Sequence, residues 1–292
     1  MNSSVAIVIP VFNEKDAVVD TIKNIRSNPS LKDYELIVVD DGSDDGTYEL
    51  LTNLQNQLKN EFTLLHFDHN LGYGSALKHG INNANSEYII ITDADNTYPN
   101  DQIPKLTDIC IQGKYDMVVG ARTMPNSNIP TIRKPAKWIL RKLANILVGY
   151  KIPDLNSGLR VFKKELAKKF HNLICDGFSF TTTITLAFLC NNYRVKYTPI
   201  EYFARTGSSK IKPFRDTINF ITLIVTTVLY FRPLRILFIP GILIFSLGIS
   251  LAIEGIALNH SVGKSSLLLI QISFYFLVTA LLADLIVKTR KS

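Results

Sequence analysis

An α/β domain with a mostly parallel sheet, followed by a C-terminal two-helix transmembrane hairpin, is the architecture this 292-residue sequence predicts. Three observations lead there. Short β-branched runs alternate with helix-length stretches, the residues just after those runs are unusually polar, and two long uncharged runs close the chain. The alternation argues for βαβ units around a sheet covered on both faces. A hydrophobic content of 47% with 20% charged residues excludes a disordered or fibrous chain. The three cysteines, Cys110, Cys175 and Cys190, form no CxxC pair and leave an odd count, so neither a disulfide framework nor a zinc site is expected.

The strand-like runs cover residues 5–9, 35–39, 63–67, 88–92 and 117–119, and the helix-like stretches cover 16–27, 48–59, 75–83 and 102–112. Parallel sheets bind ligands at the carboxyl ends of their strands. The segments to inspect are therefore Pro10-Val11-Phe12-Asn13-Glu14, Asp40-Asp41-Gly42-Ser43, Asp93-Ala94-Asp95 and Gly120-Ala121-Arg122. Asp93 and Asp95 leave the end of an apolar strand two positions apart, so they can converge on a hard divalent cation such as Mg2+ or Mn2+. A bare DxD is also a common solvated turn; its place beside Asp40, Asp41 and Glu14 favours the metal. Asp40 and Asp41 fit either helix capping or hydrogen bonding to a ribose or base edge. Gly72-Tyr73-Gly74, ahead of Lys78, starts a dinucleotide pattern that fails at Leu77, leaving only a backbone turn near a phosphate. Val262-Gly263-Lys264-Ser265 echoes a P-loop but links two apolar runs and is set aside.

Charge is unevenly spread. Residues 131–170 hold eleven Lys or Arg against Asp154 and Glu165, a local net of +9 in a chain of net +7. Such a stretch points to a phosphate-bearing substrate, anionic lipid or nucleic acid, unless it is simply a solvated helix face. Residues 236–253 and 265–283 are uncharged runs close to the ~20 residues that a bilayer-spanning helix needs. Arg232 and Arg235 before the first, and Lys288, Arg290 and Lys291 after the second, place the outer ends and the N-terminal domain in the cytoplasm. The N-terminus carries no basic n-region and is read as neither signal peptide nor anchor. Residues 218–231 are apolar but short for a crossing and are expected to lie at the interface, with Lys210, Lys212, Arg215 and Arg232 reaching phosphates. The expected division is a catalytic domain over 1–212, an interfacial segment over 213–233 and a hairpin over 234–292, with spans at about 236–256 and 265–286.

The set IPVFNE (9–14), VVDDGSDDGT (38–47), NLGYGSALKHG (70–80), DADNTYP (93–99), GAR (120–122) and DLNSGLRVF (154–162) resembles glycosyltransferase family 2. More narrowly it is similar to polyprenyl-phosphate hexose synthases of the dolichyl-phosphate mannose or glucose synthase type, in order from about residue 5 to 212. The resemblance implies a GT-A (nucleotide-diphospho-sugar transferase) fold. It places Pro10, Glu14 and Asp40 on the base and ribose, with Val11, Asp41, Lys78 and Ala94 in the same donor-binding set. It assigns Asp93 and Asp95 to the metal and diphosphate. Arg122, Arg133, Lys137, Ser157, Arg205 and Lys210 are assigned to the acceptor phosphate, and Asp93, Asp95 and Arg122 form the catalytic set. Relatives often carry Gln where this chain has Thr97, which leaves the third metal ligand unassigned.

The implied activity is metal-dependent, inverting hexose transfer from a UDP-glucose or GDP-mannose class donor to dolichyl or undecaprenyl phosphate. A phosphate acceptor is already an anion near neutrality and needs cations rather than a general base. Transfer to a saccharide or glycerolipid hydroxyl, which would need a base, is the alternative; a non-catalytic, membrane-tethered nucleotide-sugar binding protein is a second. A processive polysaccharide synthase is disfavoured because no Q/RxxRW motif surrounds the sole tryptophan, Trp138. The expected partners are the nucleotide sugar, polyprenyl phosphate and the bilayer, not nucleic acid; whether the chain forms a homo-oligomer is left open.

Overall fold

A computed structural model describes residues 4–125, 134–174, 177, 179–204 and 213–291. Arg133, Arg205 and Lys210, expected at the acceptor phosphate, lie outside the described residues, as do Cys175 and Lys212; the side chains of Lys137 and Arg215 lie outside them too. The chain runs β1 (Val5–Val11), α1 (Val18–Ser27), β2 (Glu35–Asp40), α2 (Thr47–Gln57), β3 (Thr63–His66), α3 (Tyr73–Asn83), β4 (Tyr88–Ile91), α4 (Ile103–Gln112) and β5 (Met117–Ala121). There follow α5 (Lys134–Val148), β6 (Arg160–Lys163), α6 (Lys164–Lys169), α7 (Phe180–Cys190), β7 (Val195–Pro199), α8 (Pro213–Phe231), α9 (Pro233–Asn259) and α10 (Lys264–Lys291).

The described strands form one seven-stranded sheet of order β3-β2-β1-β4-β6-β5-β7. All neighbours are parallel except that β6 runs antiparallel to both β4 and β5. β1 and β4 are buried along their whole length, as strands covered on both faces must be. Side chains alternate between two cores. Val8, Ile37, Ile91 and Val119 face α3, α5, α7 and α8, while Ile7, Ile9, Val38 and Ile90 face α1, α2 and α4. Pro10, which has no N–H to give to a ladder, is tolerated in β1 because pairing with β4 ends at Val8↔Ile91. Strand order reverses between β1 and β4, so the crevice at their carboxyl ends is the expected ligand position for an open parallel sheet.

Helix α8 spans more than the fourteen residues expected at the interface, and Ile224, Val228 and Phe231 enter the core against α5 and α7. Its other face leaves Ile218, Leu229 and Tyr230 exposed. α9 and α10 carry apolar stretches long enough to cross a bilayer, Pro233–Leu258 and Lys264–Thr289, with mean hydropathies of 2.5 and 2.1. Only 17% of each is buried, whereas the core helix of a water-soluble domain would be mostly covered.

Arg232, expected to reach lipid phosphates, is instead the joint between α8 and α9. Its Nε donates to the Cys190 carbonyl at 2.8 Å, Nη1 to that of Val148 at 3.0 Å, and Nη2 to that of Leu189 at 3.2 Å and to Asn192 Oδ1 at 2.5 Å. These carbonyls end α5 and α7, where unpaired acceptors and the helix dipole both favour a cation. A single planar fork thus ties the membrane hairpin to two helices of the domain. Arg232→Ala should lower stability by about 2–3 kcal/mol, since hydrogen bonds to a charged group contribute about 1.5–3 kcal/mol and several are lost together. Arg232→Lys should recover only part, because an ammonium cannot span the same acceptors; thermal unfolding in detergent measures both.

Candidate active site

The crevice is built from the loops that follow β1, β2 and β4 and from the segment before β6. The first two loops are zipped together. Asn13, at φ 55°, donates from its backbone N–H to Ser43 Oγ at 3.0 Å and from Nδ2 to Asp44 Oδ1 at 2.7 Å, while Asp44 N–H returns to Asn13 Oδ1 at 3.0 Å. The Glu14 N–H donates to Thr47 Oγ1 at 3.2 Å, and the Glu14 carbonyl accepts from Ala17 and Val18 at the start of α1. Pro10 and Val11 lie buried within β1, and Lys78 lies in α3, whose first residue is Tyr73.

Asp40 and Asp41 do not open onto the crevice. Asp40 is fully buried and accepts from Ser43 N–H at 3.1 Å, from Ser43 Oγ at 2.5 Å and pairs with His66 Nδ1 at 2.9 Å. Asp41, 2% exposed, accepts from Asn70 Nδ2 at 3.0 Å and from the N–H groups of Leu71 and Gly72 at 2.8 and 2.9 Å. Burial pushes the Asp41 carboxyl up despite those N–H donors. Buried carboxylates need such partners, so here they organise loops rather than present oxygens to a ribose. Gly42, at φ 70°, packs so closely that a Cβ would come within 2.4 Å of the His69 backbone, which is why this turn needs glycine.

Asp93, half-buried, and Asp95, buried, follow the end of β4, with Ala94 buried between them and its carbonyl accepting from Thr21 Oγ1 at 2.9 Å. Asp93 Oδ1 accepts from the Tyr73 hydroxyl at 2.9 Å, and Asp95 Oδ1 accepts from the Thr97 hydroxyl at 2.6 Å and its N–H at 3.2 Å. Gly158 closes over Asp93: a Cβ there would meet Oδ2 at 2.8 Å, Oδ1 at 2.9 Å and Cγ at 3.0 Å. Its N–H donates to the Tyr98 hydroxyl at 2.6 Å. No three His, Cys, Asp or Glu among the described residues group as a metal cage. Two carboxylates and no thiolate or imidazole nonetheless suit Mg2+ or Mn2+, which takes one or two protein carboxylates and fills its shell with water and substrate phosphates.

On the acceptor side the geometry departs from the expectation in three places. Arg122 donates from its backbone N–H and Nε to Asp154 Oδ2 at 3.1 and 2.7 Å, and from Nη2 to Asp154 Oδ1 at 2.8 Å and Asn156 Oδ1 at 2.9 Å. Burial works against its charge, but Tyr98 and Asp154 hold the guanidinium above the usual arginine range. Asp154 is therefore its counter-ion. Ser157 is fully buried and gives its hydroxyl to the Gly120 carbonyl at 2.5 Å, so it shapes the turn and does not offer that proton to a phosphate. Nor do the described cations of the +9 stretch converge. Because β6 is antiparallel to β4, Arg160 lies beside Ile91 while Lys163 lies beside Tyr88 at the opposite end, and Lys163 pairs with Asp116 at 2.9 Å. Lys164, Lys168 and Lys169 follow in α6, leaving Arg141, Lys142 and Lys151 as the described side chains of that stretch on or just after α5.

Several site residues escaped the sequence reading: Tyr73, Tyr98, Tyr202 and above all Arg160. Arg160 is fully buried, with Nε bonded to the Ser157 carbonyl at 3.1 Å and Nη1 to the Thr181 carbonyl at 2.9 Å and Thr185 Oγ1 at 2.8 Å; Nη2 also meets the Ser157 carbonyl. An arginine inside the otherwise apolar run Leu159-Arg160-Val161-Phe162 was the available signal.

A family model described as Glycosyl transferase family 2 matches residues 6–170. The chain is 31% identical over 254 residues to undecaprenyl-phosphate 4-deoxy-4-formamido-L-arabinose transferase of Photorhabdus laumondii subsp. laumondii, covering 85% of this chain and 75% of that one. It is 27% identical over 220 residues to the low-salt glycan biosynthesis hexosyltransferase Agl6 of Haloferax volcanii, covering 73% of this chain but only 51% of that longer relative. Among solved structures, glucosyl-3-phosphoglycerate synthase from Mycobacterium tuberculosis, in complex with Mn2+, uridine diphosphate and phosphoglyceric acid, shares the fold with a TM-score of 0.58 at 15% identity, covering 78% of this chain and 79% of that one.

Gly158→Ala should force the Asp93 carboxylate aside and slow any reaction at this site by about 10²-fold, the scale of an ångström-size misplacement. Circular dichroism should stay unchanged, since only a methyl group is added at the rim.

Proposed function

The chain belongs to glycosyl transferase family 2 and is a glycosyltransferase with a GT-A fold, and on that premise we propose that it transfers a hexose from a nucleotide-diphospho-sugar to a polyprenyl phosphate. One observation carries the acceptor assignment: a single loop, residues 151–158, reaches from the carboxylate pair to the membrane-side helices. Gly158 covers Asp93, Pro153 accepts from Arg141 of α5 at 3.4 Å, α5 packs on α8, and α8 leads through Arg232 into α9. A soluble acceptor would not require that continuity. The named relative that acts on undecaprenyl phosphate supports the same acceptor class. With Arg232, Arg235 and Lys288 near the outer ends of the two spans, we place the catalytic domain on the cytoplasmic face.

A phosphate monoester has its second pKa near ~6, so at neutral pH it is a ready nucleophile. A hydroxyl acceptor would need a base, and Asp154, held on both oxygens by Arg122, is a poor one because a paired carboxylate resists protonation. In this reading a phosphate oxygen bonds to the anomeric carbon as the bond to the diphosphate oxygen breaks, which inverts the centre and releases the nucleoside diphosphate. Asp93 and Asp95 would hold Mg2+ or Mn2+, whose bound charge supplies Lewis-acid neutralisation of the departing diphosphate. The Mn2+ and uridine diphosphate in the mycobacterial neighbour favour that use of the fold. The zipped loops after β1 and β2 shape the nucleotide end, with Asp40 and Asp41 as their internal anchors. Arg122 and Asp154 shape the acceptor end, and the basic residues of α5 draw in the lipid phosphate.

Purified protein given UDP-glucose or GDP-mannose and undecaprenyl or dolichyl phosphate should form a radiolabelled lipid product whose anomeric proton coupling shows inversion. Chelator should abolish transfer, Mn2+ or Mg2+ should restore it, and Asp95→Asn should slow it by about 10²–10³-fold, as loss of one charge-stabilising group does. Undiminished transfer in chelator, or transfer only to lipids without a phosphate, would sink the assignment.

A further inference from the structure

Two carboxylates at alternate positions of a strand end repel one another and each turns about two single bonds. A divalent cation binds such a pair well only when both are already oriented. Here each carboxylate has a hydroxyl on one oxygen. Tyr73 reaches Asp93 Oδ1 from the first residue of α3, a separate element twenty positions away in sequence. Thr97 gives its single hydroxyl proton to Asp95 Oδ1 at 2.6 Å. The Tyr202 ring meets the edge of Tyr98 at 5.3 Å and the Arg122 guanidinium at 5.1 Å.

We propose that Tyr73 and Thr97 are positioning residues that preset the acidic pair for a divalent cation, Thr97 supplying an orienting donor to Asp95. The inference rests on the metal-dependent reading above. It also gives a role to the threonine: a short hydroxyl side chain engaged with Asp95 orients a ligand in place of adding one.

The test measures Mn2+ affinity of the full-length protein with saturating uridine or guanosine diphosphate, counting free Mn2+ by electron paramagnetic resonance. Loss of an outer hydrogen-bond partner typically weakens metal binding 10–100-fold. Tyr73→Phe and Thr97→Val should each weaken binding by about tenfold, and the double variant by about a hundredfold, since each acts on its own carboxylate. Thr97→Ser, which keeps the hydroxyl, should bind as the wild type does. The Mn2+ concentration for half-maximal transfer should rise in step while kcat at saturating Mn2+ and the unfolding temperature hold, a split that a general loss of packing would not give. Wild-type affinity in Tyr73→Phe and Thr97→Val, beside a wild type that binds Mn2+, would overturn the inference alone. A wild type that binds no Mn2+ and transfers in chelator would overturn it together with the metal-dependent reading. Should Tyr73→Phe lose its circular dichroism signal, the Thr97→Val and Thr97→Ser pair decides, equal affinities overturning the inference.

Discussion

The buried Arg160 guanidinium is the constraint from which the acceptor half of the molecule follows. A charge taken out of water is tolerated only with its hydrogen bonds made, and Arg160 makes them to neutral groups: the Ser157 carbonyl, the Thr181 carbonyl and Thr185 Oγ1. Burial accordingly lowers its pKa, yet an arginine stays charged. These bonds pin the start of α7 and the turn at Ser157. With Ser157 fixed and its hydroxyl on the Gly120 carbonyl, Gly158 is carried against Asp93 and its N–H onto the Tyr98 hydroxyl. One antiparallel strand between β4 and β5 thereby sets the loop that touches the reactive rim.

The same strand explains why charge summed along the sequence misleads. Three residues along β6 separate Arg160, at the crevice end, from Lys163 at the far end, about 10 Å away at ~3.3 Å per residue. What gathers at the membrane side is smaller and more local. On α5, Trp138 and Ile146 are exposed beside Arg141 and Lys142, the Lys142 ammonium lying 5.0 Å from the Trp138 ring centre. Apolar bodies with cationic tips on one helix suit the headgroup layer. The hairpin is held to this helix through Arg232, so the distance from bilayer to crevice is set by helix ends rather than by a loose linker.

The parallel half of the fold was legible because its strands are short β-branched runs and its helices amphipathic between them; β1, β2, β3 and β4 begin where the sequence places them. β6 and β7 were not. Arg160 interrupts one, and Val195–Pro199 is only partly buried at an edge, so neither shows a clean pattern. Within the site, acids at strand ends are visible as letters, but their direction is not. Asp40 and Asp41 carry the same residue type as Asp93 and Asp95, yet they turn inward because Ser43, His66, Asn70 and the N–H groups of Leu71 and Gly72 are there to receive them. Phenols that brace a carboxylate from another element, as Tyr73 does, leave no spacing rule to find.

Counting charge around the crevice shows what the acceptor side must supply. Asp93 and Asp95 carry two negative charges, which a divalent ion held as proposed would cancel. The Arg122–Asp154 pair sums to nothing, and the carboxylates of Asp40 and Asp41 add further negative charge. On the proposed reaction two anions, a nucleoside diphosphate and a lipid phosphate of about −1.5 to −2 at neutral pH, would approach this frame, which holds no net positive charge. Arg160 contributes one fixed positive charge from below, in a medium where it is screened less than at the surface. That single charge would not balance both substrates; among the described residues, Arg141 and Lys142 of α5 and Lys151 after it can add attraction for a lipid head at the membrane edge. A phosphate acceptor fits such an arrangement, since it needs positive potential along its approach and no proton acceptor at its end.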